Sequence, residues 1–292
     1  MQDSYHSKDL IRIFFLALCV SLETPTVTHG NELQVLEKQV RSLQATAPIL
    51  GNLEQREKGA LSQILLQQGE LFNKQKAFLK AASSFRKAKA IYPDISAIDL
   101  HIGIAYADAQ RLSLARRFLK SFDDQNTDPA LKLQCEQKLY QVLVAMGEES
   151  SRISLWDQAI NSYHEAMNYS NSTQLTLDLI DKIQTAYFRQ GTFHYSQKHY
   201  LEASRNFLKA LSKNTKENLR SKIERIAGHL FLNAGKHYEK MGQLSEAKPY
   251  YTAVIDYFHE DKVVLYAKQR LDSLGSQILE ERADIPEWLR VD

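Results

Sequence analysis

The sequence predicts an all-α fold, a solenoid of about five helix pairs in which each pair buries its apolar face on its neighbours. Three observations predict it. Only 11 Gly and 6 Pro are spread over 292 residues, which leaves long stretches free for helix and few turn clusters for strands. Five glycines, Gly69, Gly103, Gly147, Gly191 and Gly235, fall at the same place in five similar segments. A fixed apolar register follows each of them, and self-similarity of this kind marks a repeat array.

The register can be read position by position. Nine residues after each glycine stand Phe78, Leu112, Trp156, Tyr200 and Leu244; twelve after stand Ala81, Ala115, Ala159, Ala203 and Ala247. Sixteen after stand Phe85, Leu119, Tyr163, Phe207 and Tyr251, and nineteen after stand Ala88, Phe122, Ala166, Ala210 and Val254. Glycine inside a helix costs about 1 kcal/mol relative to alanine, so five at one helical position need a compensating gain from packing. The expectation is that each glycine faces the alanine twelve residues on, letting two antiparallel helices nest. The large residue at sixteen then fills the space towards the next pair.

These residues resemble the tetratricopeptide repeat (TPR), whose pattern is W-x-x-L-G-x-x-Y, then A-x-x-x-F, then P. The best copy runs from Ser62 to Ile95, with Gly69, Phe72, Ala81, Phe85, Ala88 and Pro93 in place. The second copy keeps Gly103, Tyr106 and Ala115, and the fifth keeps Gly235, Tyr238, Ala247 and Tyr251. The third and fourth are looser, with Ser150 and His194 where the aromatic three residues after the glycine belongs, and no copy has the early Trp. The resemblance implies a right-handed superhelix over residues 62–261 and a scaffold that binds proteins, as peptide segments or partner helices.

Spacing between copies adds a detail. The glycines are 34 residues apart once and 44 apart three times, while the glycine-to-alanine distance never changes. The ten additional residues therefore lengthen the first helices of repeats three to five. Asp128-Pro129, Asn171 to Thr173 and Asn214-Thr215 are the start signals. Ten residues add about 15 Å of helix, enough for a second contact surface. Pro249, inside the second helix of the fifth repeat, removes a backbone donor there.

The flanks are read separately. Lys8 and Arg12 precede Ile13 to Leu22, in which only Ser21 is polar, and this fits the core of an export signal occupying residues 1–30. Thr28 and Gly30 frame a cut before Asn31, which gives a periplasmic or secreted chain; the alternative is membrane anchoring through residues 11–22 and proximity to the membrane through the N-terminus. Cys19 has Leu18 before it, a poor context for lipidation, and Cys135 reads as a small core residue. Within 31–61, Leu33, Leu36, Val40 and Leu43 form a seam that packs on the first repeat or supports self-association through residues 32–44. Val263, Val264, Tyr266, Ala267 and Leu271 make the face of a capping helix, 262–283, before a tail at 284–292.

Several chemistries are excluded. The net charge of +2 does not suit a nucleic-acid binder. No phosphate loop, dinucleotide fingerprint, nucleophile elbow or zinc-helix motif occurs, so no cofactor, metal or catalytic residue is expected and the chain is not read as an enzyme. Asp124, Asn126 and Asp128 begin like a calcium loop, but Pro129 and Cys135 stand where Gly and Glu are needed. Lys74, Lys76, Lys80, Arg86, Lys87 and Lys89 form a local basic run. By the TPR resemblance, Leu66, Glu70, Leu100, Ile104, Phe188, Tyr195, Leu232 and Lys236 line an apolar inner groove for a partner. The expectation is an exported bacterial envelope scaffold, with a cytosolic chaperone or adaptor as the other reading.

Overall fold

The computed structural model describes residues 29–46, 55–93, 97–125, 128–211, 216–259 and 261–274, and its regular structure is helical throughout these ranges. The helices are α1 (His29–Thr46), α2 (Gln55–Lys74), α3 (Phe78–Ile91), α4 (Ile98–Asp108), α5 (Leu112–Gln125) and α6 (Pro129–Arg152). They continue as α7 (Trp156–Met167), α8 (Thr173–Ser196), α9 (Tyr200–Ala210), α10 (Glu217–Lys240), α11 (Leu244–Tyr257) and α12 (Asp261–Leu274). The expected export signal to residue 28, the second half of the expected capping segment and the tail lie outside the described residues.

The chain divides into two compact units, Met1–Cys135 and Glu136–Asp292, with the boundary inside α6. In the first unit α1 packs on α2, with Leu36 of the predicted seam buried. Helix α2 begins at Gln55, so the boundary expected at 61/62 falls within it. The pairs α2–α3 and α4–α5 pack consecutively, and Ser62 Oγ donates to Ala88 O across the first pair at 2.8 Å. Cys135 is fully buried, its Sγ 3.2 Å from Leu119 O, a core residue as expected.

The basic run is only in part a solvated face. Lys89 Nζ sits 2.7 and 2.6 Å from the two oxygens of the buried Asp99 carboxylate. Arg86 donates to Tyr106 Oη at 3.3 Å, and Lys80 lies 5.6 Å from the Phe72 ring centre. These three cations hold helices together.

In the second unit α8–α9 and α10–α11 are packed pairs, and α12 covers α11 and α10. Val263 and Ala267 are buried there, with Val264, Tyr266 and Leu271 against the same core, as the capping face predicts. Helices α6, α8 and α10 each run 24 residues against 11 for α4, so the extra residues do lengthen the first helices of repeats three to five. Asp128 Oδ1 accepts from Ala130 N at 2.9 Å at the start of α6, and the Ser172 side chain accepts from Leu175 N at 3.3 Å at the start of α8. The start signal expected at Asn214-Thr215 lies outside the described residues.

The repeat glycines do not face the alanines. A Cβ on Gly69 would come within 2.4 Å of the Phe85 ring, on Gly103 within 2.6 Å of Leu119, and on Gly147 within 2.4 Å of the Tyr163 ring. Gly191 meets Phe207 at 3.2 Å and Gly235 meets Tyr251 at 2.7 Å. Each glycine is the socket for the large side chain sixteen residues later. The large side chain needs the volume of the missing Cβ.

The turn between the helices of each pair is built the same way five times. Lys76, Gln110, Ser154, Lys198 and Gly242, each seven residues after its repeat glycine, have φ of 58, 58, 63, 62 and 71°. The amide of the next residue donates back to the carbonyl three residues after the glycine, at 2.8, 2.8, 2.9, 2.9 and 3.0 Å along the series from Ala77→Phe72 to Gln243→Tyr238. This is a Schellman closure, and it satisfies carbonyls the helix end would otherwise leave bare.

Candidate functional site

Neighbouring first helices in the second unit meet out of repeat register. Lys182 Nζ on α8 lies 2.6 Å from Glu148 Oε1 on α6, 34 positions apart in a region whose sequence period is 44. The repeat equivalent of Glu148 is Thr192, ten residues and about 15 Å of helix beyond Lys182. Lys216, the N-cap of α10, pairs in the same manner with Asp181, 35 positions before it. The third turn of α8 is thus placed beside the end of α6, and the start of α10 beside the third turn of α8.

A cavity of about 650 Å³ lies along this seam. It is lined by Glu148, Ser151 and Arg152 near the end of α6, Tyr163 of α7, Asp178, Asp181, Lys182, Thr185 and Arg189 of α8, and Lys216. The three-four spacing from Asp178 to Arg189 sets five side chains on one face of α8. Asp178, Asp181 and Lys182 belong to the extra turns, so the lengthening of α8 supplies much of one wall.

Charges in the cavity are unevenly satisfied. Glu148 is paired with Lys182 and Asp181 with Lys216, a pairing whose hydrogen bond raises the Lys216 pKa; Asp178 accepts from Gln174 at 3.0 Å. Arg152 and Arg189 have no carboxylate partner among the described residues. Tyr163 is pushed up to about 12 by burial and then by Glu148, against the opposing charge of Arg189. Its hydroxyl therefore stays protonated as a donor. Two open guanidiniums with Tyr163, Ser151 and Thr185 can hold an oxygen-rich anionic or polar group.

None of the eight groove residues expected from the sequence lines this cavity. Leu100 and Leu232, 1% and 7% exposed, are core, so neither presents a surface to a partner. Leu66 and Ile104 are half-buried and Glu70 is exposed, all in the first unit. Phe188 packs edge-on against Phe207 with ring centres 5.7 Å apart. Lys236 Nζ is spent 4.1 Å over the Tyr266 ring, and Tyr195, partly exposed, sits 6.2 Å from Tyr200. Phe188 precedes Arg189 by one residue, which is about 100° around a helix of 3.6 residues per turn. The apolar face of α8 was turned inward to α9, and the accessible face is the charged one. The stripe Asp178, Asp181, Lys182, Thr185, Arg189 is the sequence signal that marks it.

Among the described residues no cluster of three or more His, Cys, Asp or Glu could hold a metal ion, and no helix is long and apolar enough to cross a membrane. No family model and no curated protein matches the chain. Among solved structures, BtubC (BKLC) from P. vanneervenii aligns at 15% identity over 89% of this chain and 95% of that one, with a TM-score of 0.28. The TPR domain of P58(IPK) aligns at 15% identity over 86% and 67%, with a TM-score of 0.29. Superposition at that level carries no argument, and the fold assignment stands on the chain's own geometry. Consecutive helix pairs, a glycine socket in each and one repeated turn make this an all-helical array of TPR-like repeats.

Proposed function

We propose that this chain is an exported scaffold which binds another protein, and that a polar or acidic segment of the partner seats in the cavity between α6 and α8. The observation that carries the binding reading is the pair of cavity arginines, Arg152 and Arg189, left without carboxylates where each acid lining the cavity is paired or hydrogen-bonded. An uncommitted guanidinium in a concave site is a hydrogen-bonding fork awaiting an oxyanion. TPR-like arrays offer such sites to protein segments, which supports a scaffold over an enzyme. Export to the bacterial envelope rests on the apolar run Ile13 to Leu22 behind Lys8 and Arg12.

Two measurements test the two halves. A photoreactive residue at Thr185, in the cavity, gives a discrete protein adduct in cells; the same residue at exposed Lys132 does not. The adduct disappears when Arg152→Glu and Arg189→Glu are combined. An adduct that survives the double substitution overturns the cavity placement. The mass of the chain recovered from cells tests export: the expected mass begins at Asn31, and a soluble chain beginning at Met1 supports the cytosolic adaptor instead.

A further inference from the structure

The three intrapair turns of the second unit share a composition that packing does not explain. Of the exposed large apolar residues, Ile153 and Leu155 lie in the α6–α7 turn, Phe193 and Tyr195 at the end of α8, Met241 in the α10–α11 turn and Leu244 at the start of α11. Ile153 is 54% and Met241 59% exposed, so each leaves more than half of an apolar residue in water.

Ring contacts place the turns side by side. Trp156, which opens α7, has its ring 5.3 Å from Phe193 at the end of α8. Tyr195 is 6.2 Å from Tyr200, which opens α9, and Tyr200 is 5.6 Å from His237 at the end of α10. The apolar residues thus form one edge rather than three isolated exposures, and a contiguous apolar patch marks an interaction surface.

Within the turns themselves charge has one sign. From the last residue of each first helix to the first residue of each second, 152–156, 196–200 and 240–244, the charged residues are Arg152, Lys198 and Lys240, with no carboxylate. Acids flank these turns on both sides: Glu148, paired with Lys182, and Glu149 precede Arg152, Glu239, paired with Arg270, precedes Lys240, and Asp157, Glu202 and Glu246 follow in the second helices, where Asp157 accepts from Gln190 Nε2 at 3.0 Å and Glu246 from Ser245 Oγ at 2.6 Å.

We infer that these three turns are a docking edge for an anionic lipid surface. Ile153, Leu155, Met241 and Leu244 enter the boundary between headgroups and acyl chains, the aromatic residues sit at headgroup level, and Lys198 and Lys240 meet lipid phosphates. The turn backbone is suited to the task, because its carbonyls are closed by the Schellman bonds and expose few unsatisfied groups to the apolar phase. The inference is independent of the partner cavity.

Flotation of the full chain with vesicles tests it, comparing phosphatidylcholine alone with phosphatidylcholine containing phosphatidylglycerol. The expected result is several-fold greater recovery on the anionic vesicles. Ile153→Asp combined with Met241→Asp lowers that recovery several-fold. Lys198→Gln combined with Lys240→Gln removes the preference for phosphatidylglycerol. All four positions are at the surface, and circular-dichroism melting curves unchanged from the parent confirm that each variant is folded. Recovery equal in parent and variants assigns attachment to another part of the chain, such as residues 13–22, and overturns the proposal. So does failure of the parent to float with either vesicle, and loss of a cross-linked protein partner in the Asp variants without any vesicle binding makes the edge a protein interface instead.

Discussion

The Phe85 ring occupies the place where a side chain on Gly69 would have to be, with a Cβ there 2.4 Å from Cε1. Phe85 is fully buried, so its ring has nowhere to swing. Gly69→Ala should therefore destabilise the chain by about 1–3 kcal/mol, the usual cost of overpacking a filled core, even though alanine is the better helix former. Gly191→Ala, which meets Phe207 at 3.2 Å, should cost less. Gly59→Ala has nothing within 4 Å and should stabilise α2 by about 0.5–1 kcal/mol. Urea denaturation orders the three, and a Gly69→Ala chain as stable as its parent would refute the socket.

This relationship was half legible in the sequence. The spacing from Gly69 to Ala81 and Phe85 established two packed helices and a conserved distance between them, but periodicity ranks positions by face and does not say which pair touches. The lengthened α6, α8 and α10 were readable because insertions must go somewhere between fixed landmarks. The cavity was not, because it arises from the ten-residue offset between Glu148 and Lys182, a relation between helices that no single helix encodes. Of the residues expected to line a groove, Leu232 is buried and Phe188 packs on Phe207, because apolar residues on a first helix also serve its own core.

Ser154 holds φ of 63° at a turn position where its fifth-repeat counterpart is Gly242. A side chain in the left-handed region costs about 1–2 kcal/mol, against about 0.4–1 kcal/mol of extra unfolded-state entropy for glycine. Ser154→Gly and Gln110→Gly should each raise stability by up to about 1 kcal/mol, and Gly242→Ala should lower it by a similar amount. Thermal melts of the three variants check the sign at each turn; a destabilising Ser154→Gly would mean the serine makes a compensating contact.

Asp99 is buried and its carboxylate is held by both Lys89 Nζ contacts and by Ser121 Oγ at 3.3 Å. Lys89→Met keeps the stem and removes the charge, leaving a buried carboxylate with one neutral donor. A loss of about 1.5–3 kcal/mol is expected, the range for hydrogen bonds to charged groups, tempered because the lysine side chain is 37% exposed. Lys87→Met, on an exposed neighbour in the same basic run, should change little. Asp99→Asn in the Lys89→Met background should recover part of the loss, since it removes the stranded charge; denaturant midpoints for the four chains complete the comparison.

The two ends of the pH scale should act on different residues. Burial lowers the His101 pKa below 6.5, with Glu70 opposing, and the ring lies 5.4 Å from Phe85. A depressed histidine is neutral in the fold, so its contribution is present above 6.5 and is lost as pH falls and the unfolded chain takes up the proton first. At the alkaline end burial raises Tyr163 and Tyr251 from 10.0 to about 12, so their neutral forms are favoured in the fold. Their contribution is complete below 10 and is lost as pH rises towards 12. Stability measured by denaturant midpoint should therefore decline on both sides of neutrality. In Tyr251→Phe the alkaline decline should be shallower, because one of the raised phenols no longer titrates, while the loss of its hydroxyl bond to Glu239 Oε2 at 2.8 Å lowers the plateau. An alkaline limb identical in slope to the parent would show that the ring of Tyr251 is not shielded from water in the folded chain.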